Sequence, residues 1–233
     1  MKILTTETPL YKAKSKEEIR TIYKAGLELI GPSFPLRFID VSEITDMSEM
    51  FRLIEDGEFC GIDNWNVSNV TDMKYMFANC THFRGIVNDW DVSNVTDMTG
   101  MFRGCKRFDG NGLENWDVSN VKYMNSMFNN CGELNTDFSK WDVSNVIDMS
   151  GMFRYCEKFT GIGLSNWDVS NVDNMLEMFY GDTSLKKMYL ETWNPTTIAK
   201  KPIYDRLTAM SNMFAKSSLS RYTPKWFKKL CKD

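Results

Sequence analysis

The stretch "WDVSNVTDM" occupies residues 90–98, and near-copies of it begin at Trp65, Trp116, Trp141 and Trp167. Consecutive copies start 25 or 26 residues apart. Self-similarity at such a period is typical of repeat proteins, in which each unit is one structural module that cannot bury its apolar side chains alone. The motif therefore decides the fold, because every unit must match the unit before it and the unit after it.

The same register extends back to Ile39 and forward to Trp193, which gives seven units over residues 39–219. The pattern M-x-x-M-F recurs once in each unit, and fourteen of the sixteen methionines belong to it. Since equivalent positions of stacked units lie against one another, we expect the repeated tryptophans and methionines to form the core rather than a cofactor or sugar site.

Periodicity within one unit predicts one helix and one strand. Counted from each tryptophan, apolar residues fall at +8, +11, +12 and +15, for example Met98, Met101, Phe102 and Cys105. This spacing is typical of a two-turn helix. The residues at +14 tolerate a left-handed backbone and would end that helix: Asn79, Gly104, Asn130 and Gly181. Alternation from the tryptophan to the serine at +3 predicts a short strand.

The predicted fold class is therefore α/β, a solenoid of about seven turns, each with a short parallel strand and a two-turn helix. Both ends need caps, because a terminal turn would otherwise expose its apolar cross-section. Residues 1–38 are the expected N-terminal cap, with a helix of about 14 residues between Ser15 and Gly31. The last turn carries an insertion, about 194–207, which we expect to be a loop. Residues 220–233 form a basic, amphipathic C-terminal cap.

The unit W-D-V-S-N-V-T-D-M-x-x-M-F-x-x-C-x-x-F resembles the repeat of the BspA-like bacterial surface proteins, a branch of the leucine-rich-repeat superfamily. The resemblance covers residues 39–219. It implies a right-handed, leucine-rich-repeat-like solenoid that binds other proteins, often as a cell-surface adhesin. The sequence shows no signal peptide, transmembrane segment or wall anchor, so the expected location from the residues themselves is the cytoplasm.

Neither catalysis nor a cofactor is expected. The chain has one histidine, His82, and no nucleophile elbow, phosphate loop or zinc-protease motif. Aligned aspartates at +1 and +7 suit turn capping better than calcium, which needs six to eight oxygens around one point, so no metal is expected. The cysteines at +15 are predicted to be reduced core residues: Cys80, Cys105, Cys131 and Cys156.

Positions that vary between units are the candidates for a partner surface. Arginine and tyrosine are favoured at interfaces, so we predict a partner-binding strip along the helix edge, with ordinary solvated surface as the alternative: Tyr75, Arg103, Arg107, Arg154, Tyr155 and Tyr180. Trp226 joins this set as the apolar anchor of the basic tail. Capping is the default role of that tail, and docking to a partner or an anionic membrane surface is the alternative.

The charge distribution limits the partner. Formal charge is +3 over residues 1–38, −13 over 39–192 and +7 over 193–233. The acidic middle would repel nucleic acid, so the expected partner is a protein. The predicted function is a non-catalytic protein-recognition module. One alternative is an acidic inhibitor, of phage or mobile-element type, that imitates nucleic acid and blocks a nucleic-acid-binding protein. Another is a cell-surface adhesin exported by an unrecognised route.

Overall fold

The structure is a computed structural model that describes residues 11–232. Its strands and helices, in chain order, are β1 (Tyr11–Lys12), α1 (Lys16–Leu29), β2 (Ile39–Asp40), α2 (Thr196–Ala199), α3 (Ile203–Ala209) and α4 (Lys225–Leu230). Short 3-10 turns occupy Ile62–Asn64, Leu164–Asn166 and Lys187–Tyr189. The first ten residues of the predicted N-terminal cap and the last residue of the predicted C-terminal cap lie outside the described part of the chain.

Helix α1 covers the start of the repeat array. Ser15 caps its first turn: the side-chain oxygen accepts a hydrogen bond from the Glu18 N–H at 3.3 Å, the spacing that the sequence predicts for a helix start. On its inner face Tyr23 is buried and lies edge-on to Phe51 of the first unit, with 5.2 Å between ring centroids. Strand β1 pairs in parallel with β2, which adds an extra rung before the first unit.

Arg20 of α1 caps the open carbonyl groups of the first unit. Its guanidinium donates to the carbonyl oxygens of Glu49, Met50 and Arg52 at distances between 2.7 and 3.0 Å. In later units the carbonyls equivalent to those of Met50 and Arg52 accept bonds from the backbone of the preceding unit. Because no unit precedes the first one, the Arg20 side chain satisfies these acceptors instead.

A regular backbone ladder joins each unit to the next. The N–H groups at +8, +10, +12 and +14 donate to the carbonyls at +7, +9, +11 and +13 of the following unit, and this set is present at all six junctions. Parallel bridges at +7 run through the units in series: Asp46, Asp72, Asp97, Tyr123, Asp148 and Asn174. The units therefore stack in one register, with each residue beside its equivalent.

The prediction of a two-turn helix at +8 to +15 is wrong, and the strand lies at its predicted position in the first unit, where β2 starts at Ile39, but not in the later ones. This segment is a series of turns in which the +11 N–H bonds the +8 carbonyl, as Met76 does to Met73. Residues at +10 and +14 have a left-handed backbone, with φ of 55° at Tyr75 and 63° at Asn79, and a right-handed helix cannot contain them. The left-handed residues expected at +14 are confirmed, but they belong to the ladder rather than to a helix end. Among residues 11–232, the extended pairing between successive units occurs at +7 and not at the tryptophan.

The repeated polar atoms form side-chain ladders beside the backbone ladder. Stacked indoles lie 6.4 Å apart between Trp90 and Trp116, with rings 8° from parallel. Each Nε1 donates to a carbonyl of the preceding unit, for example Trp116 to Val87 at 2.9 Å. The asparagine at +4 makes the same kind of bond, from Asn94 Nδ2 to the Ser68 carbonyl at 2.8 Å. The buried indole N–H needs an acceptor, so the tryptophan position admits few other residue types, while the exposed asparagine adds a bond at the surface of the stack.

The predicted core is confirmed. The tryptophans from Trp65 to Trp193 and all methionines of the M-x-x-M-F pattern are at most 4% exposed, and the phenylalanines of the pattern are at most 3% exposed. The rings at +12 stack along the whole array, with Phe102 and Phe128 5.9 Å apart and 1° from parallel. One continuous apolar column therefore runs from α1 to the last unit.

The insertion contains helices and is not the loop that the sequence predicts. Pro195 and Pro202 stand immediately before α2 and α3, where a fixed φ favours the first helical turn. Ile198 of α2 is fully buried. After α3 the chain returns to the ladder, where the Ala209 carbonyl accepts from the Met175 N–H at 2.8 Å.

Candidate functional site

The residues predicted as one partner-binding strip fall into separate places. Arg154, Tyr155 and Tyr180 contact one another on one edge of the stack. Tyr75 lies three units earlier and pairs instead with Arg52, whose guanidinium carbon is 5.6 Å from the Tyr75 ring centroid. The sequence prediction therefore combined two surface clusters, of which the first is the larger.

The first cluster, here called the Arg154 cluster, consists of Arg154, Tyr155, Glu177, Tyr180 and Lys216. The Arg154 guanidinium carbon lies 4.8 Å from the Tyr155 ring centroid and 5.0 Å from that of Tyr180. The two rings meet edge to face at 5.4 Å. An ion pair of 3.0 Å to Glu177 fixes the Arg154 side chain, which remains 32% exposed. The cluster thus offers an ordered guanidinium between two aromatic faces.

Tyr155 in this cluster and Tyr75 in the other cluster each cover a glycine of the next unit. Tyr155 stands at a left-handed +14 position, with φ of 57°, and its ring covers the equivalent Gly181 of the next unit. A Cβ at Gly181 would lie 2.4 Å from that ring. Tyr75 covers Gly100 in the same way at the +10 position. A large ring at one level therefore requires glycine at the next level.

Lys216 completes the Arg154 cluster and sets its electrostatics. Its ammonium nitrogen lies 5.3 Å from the Tyr180 ring centroid. Hydrogen bonding to Lys216 holds the pKa of the Tyr180 phenol below its usual range, and the same bond raises the pKa of Lys216. The exposed part of the cluster carries two cations against one carboxylate, so it favours an acidic or aromatic group on a partner.

Sequence reasoning missed Arg52, Glu177 and Lys216. Lys216 occupies the +14 position of the last unit, directly after Tyr155 and Gly181 in the same column. It could have been found by continuing the column through the insertion, which shifts the last unit out of the 25-residue spacing. Glu177 lies at +10, a column that the helix prediction did not separate from its neighbours.

Arg103 and Arg107 lie away from the Arg154 cluster. Both are exposed. Arg107 lines an open groove of about 1130 Å³ between the end of α1 and the first three units. The groove also contains acidic side chains, so it has no single charge: its walls include Lys24, Glu28, Glu55, Asp56, His82 and Arg84. Arg103 makes no ion pair or cation–π contact with a residue in the range 11–232.

Trp226 is part of the stack rather than an exposed anchor. Its ring lies 6.2 Å from that of Trp193, and its Nε1 donates to the Leu190 carbonyl at 2.7 Å. It thus continues the tryptophan ladder from the tail. These contacts give Trp226 a capping position, with its donor and one ring face used inside the molecule, while its role as a partner contact stays a prediction.

The repeated aspartates and cysteines have structural partners. Asp91 and Asp97 each accept the N–H of the residue two positions later, at 3.1 and 2.8 Å, which is turn capping. The thiols at +15 are free and fully buried, and each donates to a phenylalanine carbonyl of the preceding unit, for example Cys105 to Phe77 at 3.1 Å. Burial raises the pKa of Cys105 well above its ordinary value. Within residues 11–232, no three His, Cys, Asp or Glu side chains are grouped as metal ligands.

Comparison with known proteins identifies a family without an assigned activity. A family model described as "Mycoplasma protein of unknown function, DUF285" matches residues 33–113 and 110–226. No curated protein and no solved structure matches the chain. None of the helices in the described range 11–232 has the length and apolar character needed to cross a membrane. Because the matched segments cover most of the sequence, including the repeats and the Arg154 cluster, the chain belongs to the DUF285 family of Mycoplasma proteins of unknown function.

Proposed function

We propose that this chain is a non-catalytic protein-recognition module that binds a partner through the Arg154 cluster. The main support is the partly exposed Arg154 guanidinium held between the rings of Tyr155 and Tyr180. Arginine and tyrosine fixed in this way lose little side-chain entropy on binding, which is a property of interface hot spots. We further propose that the stack is a right-handed, leucine-rich-repeat-like solenoid, related to the BspA-like proteins, that presents this cluster on a rigid edge.

The proposed partner surface is acidic or aromatic. Arg154 and Lys216 supply two cations beside two π faces, while Glu177 neutralises one of them. Partial exposure keeps these groups available, and the ion pair with Glu177 limits their movement. The resemblance to the BspA-like proteins implies the cell surface as the location.

Capture from lysate with paired variants tests this function. The wild-type chain and the double variant Arg154→Ala/Tyr180→Ala are immobilised separately, and each is exposed to lysate at low and at moderate salt. The matched control is Arg52→Ala/Tyr75→Ala, which removes the same pair of residue types three units away. We expect one protein that wild type and the control retain and the Arg154 variant loses. Equal retention by all three chains would remove the cluster from the proposed interface.

A second candidate function is imitation of nucleic acid by the acidic middle of the chain. A row of exposed carboxylates supports this candidate. It is formed by the +1 residues of four successive units: Asp91, Asp117, Asp142 and Asp168. Neighbouring members follow the indole stack, whose spacing is 6.3 Å between Trp141 and Trp167. This candidate requires a basic partner whose binding falls steeply with salt. Replacing the four aspartates with asparagine would abolish such binding, whereas binding through the Arg154 cluster would persist.

A further inference from the structure

The last unit leaves part of its backbone ladder open. In the sixth unit the N–H groups of Glu177, Phe179 and Gly181 all donate to carbonyls of the seventh unit. The equivalent donors of the seventh unit are Asn212, Phe214 and Lys216. Among residues 11–232, these three N–H groups have no hydrogen-bond acceptor. The ladder thus stops with a row of three unpaired donors at alternate residues.

Other parts of the two ends are closed. Arg20 satisfies carbonyls at the first unit, and Trp226 adds a further tryptophan rung after the last one. The tail also covers the side chain of Phe214, since the Phe227 ring lies 5.0 Å from it. Asn212 and Lys216, on either side, are exposed. An unpaired ladder edge is a template for another chain segment, since backbone bonds there need no particular side chains.

The positive charge around the open edge indicates which kind of peptide segment would bind there. Residues 206–232 contain seven basic side chains and no acidic one. Lys216 is on the edge itself, and α4 carries the exposed Lys225, Lys228 and Lys229 beside it. Such a potential attracts an acidic peptide and repels a basic one.

We propose that Asn212, Phe214 and Lys216 form an open edge that binds an acidic peptide segment of a partner protein as an additional rung. Carbonyl groups at alternate residues of the peptide accept bonds from the three N–H groups, as the seventh unit does for the sixth. This site shares Lys216 with the Arg154 cluster but binds through the backbone: the Lys216 side chain contacts Tyr180, whereas its N–H is one of the three unpaired donors. Binding at the edge therefore goes beyond the proposed recognition function and does not depend on it.

The test uses a peptide copied from the chain itself, from a segment that forms a ladder rung in the structure. Residues 46–56, DMSEMFRLIED, are the acidic ladder segment of the first unit and carry a formal charge of −3. The peptide is synthesised with blocked termini and a fluorophore, together with a scrambled peptide of the same composition. Binding to the full chain is measured by fluorescence anisotropy. Hydrogen exchange follows the amides of Asn212, Phe214 and Lys216. We expect the ordered peptide to bind at least about tenfold more tightly than the scrambled one, because register adds backbone bonds to charge.

An amide-to-ester replacement at Lys216 removes the N–H and keeps the side chain. We expect it to weaken peptide binding about fivefold, as one hydrogen bond does, while Lys106→Ala, at an exposed cation of the third unit, leaves binding unchanged. Lys216→Gln, which keeps the N–H, should reduce binding mainly at low salt. Equal affinity for ordered and scrambled peptides, no detectable binding, or no effect of the ester would each overturn the open edge.

Discussion

The indole Nε1 of Trp226 donates to the carbonyl oxygen of Leu190 at 2.7 Å, the same bond that Trp193 makes to Leu164 one unit earlier. All seven tryptophans of the chain therefore belong to one ladder. The tail closes this side of the array by supplying a repeat residue from outside the repeat register.

Replacing Trp226 tests this closure. Trp226→Phe keeps a stacking ring but leaves the Leu190 carbonyl without its indole donor, and we expect a loss of about 1 kcal/mol in the free energy of unfolding. Trp226→Ala should cost about 2–3 kcal/mol, below the range for a fully buried tryptophan because the residue is partly exposed. Urea unfolding measures both. The control is Tyr222→Ala, at a side chain that is 69% exposed. Equal stability of the Ala variants at the two positions would contradict the ladder role.

Arg20 should be essential for the first unit. Arg20→Met preserves the aliphatic stem but removes three bonds to backbone carbonyls, so we expect about 2–3 kcal/mol of destabilisation. Lys24→Ala, an exposed cation one turn further along α1, is the control and should change the stability by less than about 0.5 kcal/mol. If both variants unfold at the wild-type urea concentration, the capping role of Arg20 is wrong.

Asp182 should make stability depend on pH. It stands at the +15 position that the previous four units fill with cysteine, and it is fully buried. Burial raises the pKa of Asp182 to about 8, although its Oδ1 accepts the N–H groups of Ser184 and Leu185. Its Oδ2 has no hydrogen-bond partner among the described residues. The folded state therefore holds a proton that the unfolded state releases near pH 4.

The direction in which the free energy of unfolding changes with pH follows from the proton bound to Asp182 in the folded state. Between about pH 4 and the folded-state pKa of about 8, the unfolded chain binds fewer protons, so this group lowers the free energy of unfolding as pH rises. Above pH 8 the effect is constant. Asp182→Asn keeps the acceptor for Ser184 and removes the charge. We expect the variant to gain stability relative to wild type from pH 5 to pH 8 in urea unfolding. A constant difference across that range would show that Asp182 does not titrate as described.

Cysteine accessibility gives a chemical test of the core. The thiols of Cys80, Cys105, Cys131 and Cys156 are fully buried, and burial raises the pKa of Cys80 to about 12. A thiolate is the reactive form, so these four should resist iodoacetamide in the native protein. Cys60 and Cys231 are partly exposed and should react first. Mass spectrometry of timed samples should find two labelled thiols under native conditions and six in urea. Early labelling at Cys105 would mean that the stack opens there.

The sequence predicted the period, the core and the N-terminal helix because each depends on side-chain type at a fixed spacing. It could not distinguish a two-turn helix from successive turns, since Met98, Met101 and Phe102 have the same spacing in both. The difference lies in the backbone, where +10 residues such as Tyr75 are left-handed. Such angles become favourable once a neighbouring unit accepts the N–H groups, and that contact is not local in sequence.

The candidate site was predicted only in part for a related reason. Arg154, Tyr155 and Tyr180 were identified as variable surface residues, and the structure brings them together. Their partner Lys216 follows the insertion, which displaces it from the regular spacing. Trp226 follows Trp193 by 33 residues instead of 25 or 26, so its place in the ladder could not be read from the period.

Removal of one complete unit tests the central claim, that each unit presents the same cross-section to its neighbours. Deleting residues 116–140 joins Asn115 to Trp141 and removes one 25-residue unit. Deleting residues 116–128 removes about half a unit and shifts every later rung. In urea unfolding, the whole-unit deletion should keep a single cooperative transition with an m-value lower by about one ninth, because m follows the surface exposed and the deletion removes 25 of 233 residues. The half-unit deletion should lose the cooperative transition. Two deletions that unfold alike would contradict stacking in register.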